Sequence, residues 1–366
     1  MNQPVYLRRG ETLLPHHTTL TSLFLGDQSL HFEPIDYAES IERHAFGAYL
    51  ADESLKDINA GRMIRKTSEK QARWLIATAV RTWQLIHGES QGGPQTGLFL
   101  GLGTIDYCET PEPHQLEEKT LACFSDVMCR ESNPLTGLIM LNSSAASHIA
   151  QLTGITGCNS CFSPHIDAGA EAIFEAYSHV REGLVSQALF GGGSQKISPW
   201  YLLTYDRDFA DQQTLYLTEA SSFAVVTKER TMAEAELLAA YRGRLSNGGD
   251  ALHLLLERAL NDKGAEANHT ISQIICTGIG AYQDALLQSV KTLGIEVPLI
   301  FIEDQLGYCG ASAPTIALNL SLELMQAKMN LHHDASCQHG EMNRVLILAF
   351  GPSGLVNYFL VGGLHE

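Results

Sequence analysis

The stretch NSCFSPHIDAGAEAIFEAYSHVREGLVSQALFGGG, residues 159–193, has the plan of a nucleophile loop. A polar segment carrying Cys161 and His165 turns into a helix with Ala168, Ala172, Ala176 and Val180 on one narrow face. The helix then feeds a strand that ends in three glycines. The N-terminus of a helix presents unsatisfied N–H groups and the positive end of the macrodipole, which together stabilise a thiolate or an oxyanion. Yet the residue at the turn is Ile166, which has no reactive group. Asp167 is the expected N-cap of this helix and Gly183 its expected stop. The small residues on its face predict tight packing against a neighbour.

Other candidate chemistry is thin. Cys158 and Cys161 form a C-x-x-C pair, the spacing of a redox dithiol or of half a zinc site. A closed zinc site needs two more ligands, and the other cluster is HHDASCQH (332–339), a polar insertion before the penultimate strand. Two small, partly buried thiols are the favoured reading, and no metal is expected. The glycines at 191–193 do not open a helix with G-x-G-x-x-G spacing. No Walker loop, H-E-x-x-H or G-x-S-x-G occurs, so no cofactor is expected. A Cys161/His165 pair stays open as a relocated thiolate nucleophile.

The elements that must position these residues alternate. SEKQARWLIATAVRTWQLIHG (68–88) has helical spacing, with Gly88 as its cap. TGLFLGLG (96–103) is a buried strand, and SSFAVVTKE (221–229) is another. The second half repeats the pattern. A helix near 250–261 is followed by strand 271–277, helix 283–293, strand 298–302 and helix 313–329, then by strands 344–350 and 355–361 joined by GPSG. Such alternation predicts an α/β protein with a mainly parallel sheet. Polar segments at 206–213 and 245–250 mark the junction between halves, and no sequence repeat with a period of 20–50 residues is visible.

Composition narrows the class. The chain has 366 residues, 45% hydrophobic and 18% charged, enough for a large folded core. A net charge of −17 argues against nucleic-acid binding. No run of 18 apolar residues and no signal-type N-terminus is found, so neither a membrane span nor secretion is expected. Eight scattered cysteines fit reduced thiols and a cytoplasmic location.

Taken in order, the segments resemble the β-ketoacyl synthases, the condensing enzymes of fatty-acid and polyketide assembly. NPLTGLIMLNSSAASHIAQLTGITG (133–157) is similar to that family's approach to its nucleophile, which lies nine residues beyond the final glycine. DAGAEAIFEAYSHVREGLVSQALFGGG, YLTEASSFAVVTKE and FGPSGLVNYFLV are similar to later family segments, and the likeness runs from about residue 60 to the end. The resemblance implies a thiolase-like α/β fold, two pseudo-related βαβ halves in a layered α-β-α-β-α architecture. Its N-terminal half would be 1–230 and its C-terminal half 231–366.

Carried across residue by residue, the resemblance places Ile166 at the catalytic cysteine. Cys276, in CTGIGAYQD, takes the place of the first histidine, and Tyr308, in EDQLGYCGASAP, that of the second. Glu303 stands for the motif's lysine, and Pro352 for the gating phenylalanine. Every reactive position differs while the framework persists. That implies a chain-length factor, as in type II polyketide or aryl polyene biosynthesis: a non-catalytic subunit that forms a heterodimer with an active ketosynthase. It would meet the acyl carrier protein through that complex and shape the tunnel for the growing polyketide or polyene chain. Tunnel or interface candidates are Thr104, Cys108, Phe124, Met128, Leu135 and Leu138. The competing readings are an acyl-thioester transferase or decarboxylase using Cys161, and a purely structural ketosynthase-like subunit.

Overall fold

The computed structural model describes residues 3–35, 44–104, 120–131, 134–198, 201–202, 214–245, 249–261, 271–278, 280–332 and 344–364. The strands are β1 (Tyr6–Leu13), β2 (Glu33–Pro34), β3 (His44–Ala48), β4 (Thr96–Leu102), β5 (Asn159–Phe162), β6 (Gln187–Gly193), β7 (Thr214–Thr218) and β8 (Ser221–Thr227). They continue as β9 (Ala235–Arg244), β10 (Ile271–Thr277), β11 (Leu299–Phe301), β12 (Arg344–Phe350) and β13 (Leu355–Gly363). The helices are α1 (Leu20–Phe24), α2 (Arg62–Thr67), α3 (Lys70–His87), α4 (Leu121–Glu131), α5 (Thr136–Ile139) and α6 (Asn142–Thr153). After them come α7 (His165–Arg181), α8 (Gly249–Asn261), α9 (Gln283–Thr292), α10 (Ile302–Leu306) and α11 (Ala313–His332).

Ten strands form one sheet in the order β11-β10-β12-β13-β9-β1-β8-β6-β4-β5. It divides at the β9–β1 contact into two sets of five with the same plan. In each set the strands, numbered by chain order, lie third-second-fourth-fifth-first. The first three in space are parallel, and the last two join antiparallel. The repeat that no sequence period revealed is therefore present in the topology. The seam is short, Tyr6 opposite Glu236 and Leu7 opposite Ala235.

Helices α3 and α6 cover the outer face of the first set, and α8 and α9 that of the second. Helices α7 and α11 lie between the sets and pack on each other and on strands of both. Three apolar cores result, one central and two outer, which is the layered α-β-α-β-α arrangement expected. The central core holds Ile166, Ile173 and Ala176 of α7 with Ile316, Ala317 and Leu320 of α11.

Close packing explains the small residues of α7. A Cβ added at Gly169 would run into the carbonyl oxygen of Ala311, in the turn that leads into α11. Only glycine lets the two backbones approach this far.

Several local expectations need correction. Residues 159–162, read as loop, form β5, parallel to β4 at the end of the sheet. Helix α7 opens at His165 with Pro164 at its N-cap, so Asp167 lies in the first turn and does not cap it. Strand β11 stops at Phe301, and Ile302 already starts α10. A separate three-stranded sheet, β2-β3-β7, was not expected at all.

Candidate functional site

The link from β5 to α7 is two residues, Ser163 and Pro164, followed by His165 in the left-handed region at φ 62°. A non-glycine residue held there costs on the order of 1–3 kcal/mol, so the surrounding packing fixes this turn. Ile166, next along, is 1% exposed and points into the central core. Burying it in place of water exposure contributes about 2 kcal/mol. Its Cδ1 fills the space over Gly278, where an added Cβ would come within 2.6 Å. Gly278 has φ 70° and also abuts the Phe350 carbonyl, so glycine is required on both counts.

The C-terminal end of β10 meets α10 directly beneath. Glu303 Oε1 accepts hydrogen bonds from Thr277 Oγ1 and from the Gly278 N–H, each 2.7 Å long. Its Oε2 is shielded from solvent and has no hydrogen-bond partner among the described residues. Burial pushes this carboxyl up to about 7, against the two hydrogen bonds that favour its charged form. Cys276 and Cys309 are both fully buried, and burial followed by the nearby Glu303 raises both thiols far above the ordinary range.

Tyr308 lies opposite the α7 N-terminus, 5% exposed. Its hydroxyl is 3.1 Å from His165 Nδ1, and the imidazole tautomer decides which group donates. The backbone of Tyr308 is clamped by β7. Its N–H donates to Tyr216 O at 2.7 Å, and its carbonyl accepts from the Thr218 N–H at 2.9 Å. The small sheet thus sets the position of a side chain in the site.

A cavity of about 640 Å³ opens between the α7 N-terminus and the loop joining β12 to β13. Its polar walls are Ser163, His165, Asp167, Glu171 and Ser353; Phe162, Pro164, Pro352 and Leu355 supply apolar surface. Ser353 Oγ donates to Asp167 Oδ2 at 2.8 Å. A Cβ at Gly351 would land on the same carboxylate, so the loop sits directly over Asp167. Burial raises Asp167, opposed by the Ser353 hydrogen bond. Burial also raises Glu171, opposed by Arg242, which donates to Glu171 Oε2 at 2.5 Å.

The structure brings Ile166, Glu303 and Tyr308 to this region, with Cys276 below and Pro352 at the cavity wall. Cys161 lies on the exposed side of β5, yet partial desolvation raises its thiol to about 11, leaving little thiolate at neutral pH. His165, the proposed partner of Cys161, bonds Tyr308 through Nδ1. Cys158 is exposed, and among the described residues no cluster of three or more His, Cys, Asp or Glu can hold a metal. Thr104 is exposed just past β4, Leu135 is half-buried ahead of α5, and Leu138 on α5 is 47% exposed. Phe124 and Met128 fall on α4 with their side chains outside the described residues, as is the whole of Cys108.

Sequence reading missed the His165–Tyr308 and Asp167–Ser353 pairs, which join residues 143 and 186 positions apart. The only sequence signal was their place in the segments flanking the presumed nucleophile. As arranged, the site offers neutral hydrogen-bonding groups and raised acids. Its neighbouring thiols, Cys161, Cys276 and Cys309, are all shifted away from the thiolate form.

Comparison with known proteins gives a consistent picture. The family model described as beta-ketoacyl synthase, N-terminal domain, matches residues 29–224. The chain is similar in structure to AntDE:AntF, described as a type II PKS acyl-carrier protein in complex with its ketosynthase bound to the hexaketide. That match has 14% identity and a TM-score of 0.73, and it covers 100% of both chains. The oxazolomycin ketosynthase domain from Streptomyces albus matches at 15% identity and TM-score 0.74, over 100% of this chain and 75% of its own. A beta-ketoacyl synthase from Burkholderia phymatum matches at 14% identity and TM-score 0.74, over 100% of each chain. No curated protein matches by sequence.

Proposed function

The chain belongs to the β-ketoacyl synthase family, and within it we propose that it is a non-catalytic chain-length factor. On this reading it pairs with an active β-ketoacyl-[acyl carrier protein] synthase and shapes the acyl tunnel of a type II polyketide or fatty-acid-like system, aryl polyenes included. The observation that carries the reading is the buried Ile166 at the N-terminus of α7, where the family's condensation needs a thiolate. Cys276 and Tyr308, standing for the two histidines, cannot replace them: a thiol raised far by burial and a phenol do not make a decarboxylating pair.

Surface features support a partner. Among the described residues strand β5 ends the ten-stranded sheet with one edge unpaired, a form that suits strand addition. Leu138, Met140 and Leu141 are 47%, 50% and 51% exposed in one short segment, an apolar patch that a second protomer would cover. Helix α2, which packs on α5, presents Arg62 and Lys66 to solvent in a chain of net charge −17. Such a basic spot suits an acidic carrier protein approaching through the complex. The AntDE:AntF neighbour is itself described as a carrier protein held by a ketosynthase. We place the two halves at 1–230 and 231–366, the boundary falling between β8 and β9, and the protein in the cytoplasm. Among the described residues no helix is long and apolar enough to cross a membrane.

Co-expression with the cognate ketosynthase tests this. A stable heterodimer is expected, with product length shifting when Leu135 or Leu138 is enlarged to Phe or Trp, since added bulk fills a tunnel. A stable lone monomer, with the ketosynthase making unchanged products without it, overturns the proposal. A heterodimer whose products never respond favours a structural subunit, and acyl-thioester labelling of Cys161 favours the transferase.

A further inference from the structure

The cavity beside the α7 N-terminus holds a hydroxyl paired with a base, and the reading above uses neither. Ser353 sits in the link between β12 and β13, where the Gly354 N–H donates to the Gly351 carbonyl at 3.0 Å. That tight turn leaves the serine exposed. Its Oγ donates to Asp167 Oδ2 at 2.8 Å, and both side chains line the cavity. A serine hydroxyl becomes a nucleophile when a base within hydrogen-bond reach accepts its proton, and this pair has that reach.

The base is fixed in place. Asp167 lies in the first turn of α7, and the Gly351 backbone closes over its Oδ1, so Oδ2 is the oxygen that serves the serine. Burial raises the carboxyl, and a carboxylate raised toward neutrality takes a proton more readily than a solvated one. Donors for a developing oxyanion are also at hand. Helix α7 is 17 residues long, and its N-cap, Pro164, supplies no side-chain hydrogen bond to the first turn. The N–H groups of that turn, beside the cavity residues Pro164, His165, Asp167 and Ala168, can serve a tetrahedral intermediate.

The same walls restrict the substrate. Phe162, Pro352 and Leu355 offer apolar surface for a short acyl chain. Glu171 adds a second carboxyl beside Asp167, so an acyl group that carries its own carboxylate is repelled. With a carboxylate as base and no imidazole on the serine, the leaving group must depart with little acid assistance. A thiolate does so, whereas an alkoxide or an amine does not.

We propose that Ser353 and Asp167 form an acyl-transfer centre that accepts short, uncharged acyl groups from thioesters. Ser353 Oγ attacks the carbonyl carbon as its proton passes to Asp167 Oδ2. The C–S bond then breaks, the departing thiolate takes that proton, and a Ser353 ester remains. Water, deprotonated in turn by Asp167, hydrolyses the ester to the carboxylic acid and returns the serine. This chemistry forms no carbon–carbon bond and does not depend on the subunit role proposed above.

The test incubates the full chain at pH 8 with the butyryl thioester of N-acetylcysteamine and follows the thiol released. Release at least about a hundredfold above the buffer rate is expected, the scale of one positioned general base. Ser353→Ala should abolish the excess and Asp167→Asn should lower it at least about tenfold, with thermal melts verifying that both variants are folded. Peptide mass spectrometry should find the butyryl group on Ser353. The malonyl thioester should react at least about tenfold more slowly. Release at the buffer rate, equal release by wild type and Ser353→Ala, a butyryl group on Cys161 instead, or malonyl turned over as fast as butyryl overturns the proposal. These readouts involve neither heterodimer formation nor product length, so failure here is distinct from failure of the chain-length reading.

Discussion

Helices α7 and α11 occupy equivalent places in the two halves of the molecule, and the start of α7 opens onto the cavity described above. Each follows the third strand of its set, in chain order, and precedes the fourth. From β5 to α7 the chain spends two residues, and the turn leaves the helix start beside the cavity. From β11 to α11 it inserts α10 and a further turn, residues 302–312, before the helix begins. That insertion carries Glu303, Tyr308 and Cys309, and it delivers the Tyr308 hydroxyl to His165 at the start of the other helix. The difference teaches that the link between strand and helix, more than the helix itself, decides which half hosts a site and which half furnishes it.

The contact between the two helices is the place to break this comparison. Gly169→Val would drive a side chain into the Ala311 carbonyl at the foot of the insertion. A loss of at least about 3 kcal/mol is expected, seen as a lowered midpoint in chemical denaturation or as insoluble protein. Unchanged stability would mean that the helices are not held at glycine distance.

A medium effect tests the insertion by pH. Glu303 is raised in the folded state from about 4.5 to about 7. Between those values the folded chain holds a proton that the unfolded chain has lost, so stability falls as pH rises through this window and is flat above it. Glu303→Gln stays neutral throughout and keeps the acceptor for Thr277 and Gly278. It should exceed the wild type in stability by up to about 3 kcal/mol at pH 8 and match it near pH 4.5. Denaturation at the two pH values measures this, and an equal gain at both would remove the carboxyl from the explanation.

The smallest expected effect lies where the halves touch through a hydrogen bond. Tyr308→Phe removes the hydroxyl from His165 and should cost about 1 kcal/mol in denaturation midpoint. It should also shift the His165 ring resonances in NMR, a readout that simple loss of packing would not give. An unshifted histidine would show that the pair does not form in solution.

Much of the scaffold was legible because its signals are local. Helix α3 shows three-to-four spacing and ends at Gly88 with φ 63°, and β4 and β8 are buried apolar runs. Strand β5 was not legible: NSCF is half polar and alternates between exposed and partly buried positions, as an edge strand does. Strand β9 is hidden differently, since AELLAAYRGR is rich in residues that favour helix, and its pairing with β13 overrides that preference. The framework positions Ile166, Glu303 and Tyr308 could be named from their segments. Which atoms they meet could not: Ile166 and Tyr308 reach residues more than a hundred positions away, and Glu303 reaches back about 25 across an intervening helix and strand.

The β1 seam carries a consequence for synthesis. Among the described residues strand β1 pairs only with β8 and β9, Leu13 opposite Ser221 and Tyr6 opposite Glu236. During translation β1 must therefore wait while more than two hundred further residues are made, roughly ten to forty seconds at about 5–20 residues per second. Over that interval its hydrogen-bonding edges are open to the solvent, to chaperones and to neighbouring nascent chains. The closing of the first half thus depends on residues made much earlier, which makes the strand's charged residues, Arg8, Arg9 and Glu11, a safeguard against mispairing while it waits.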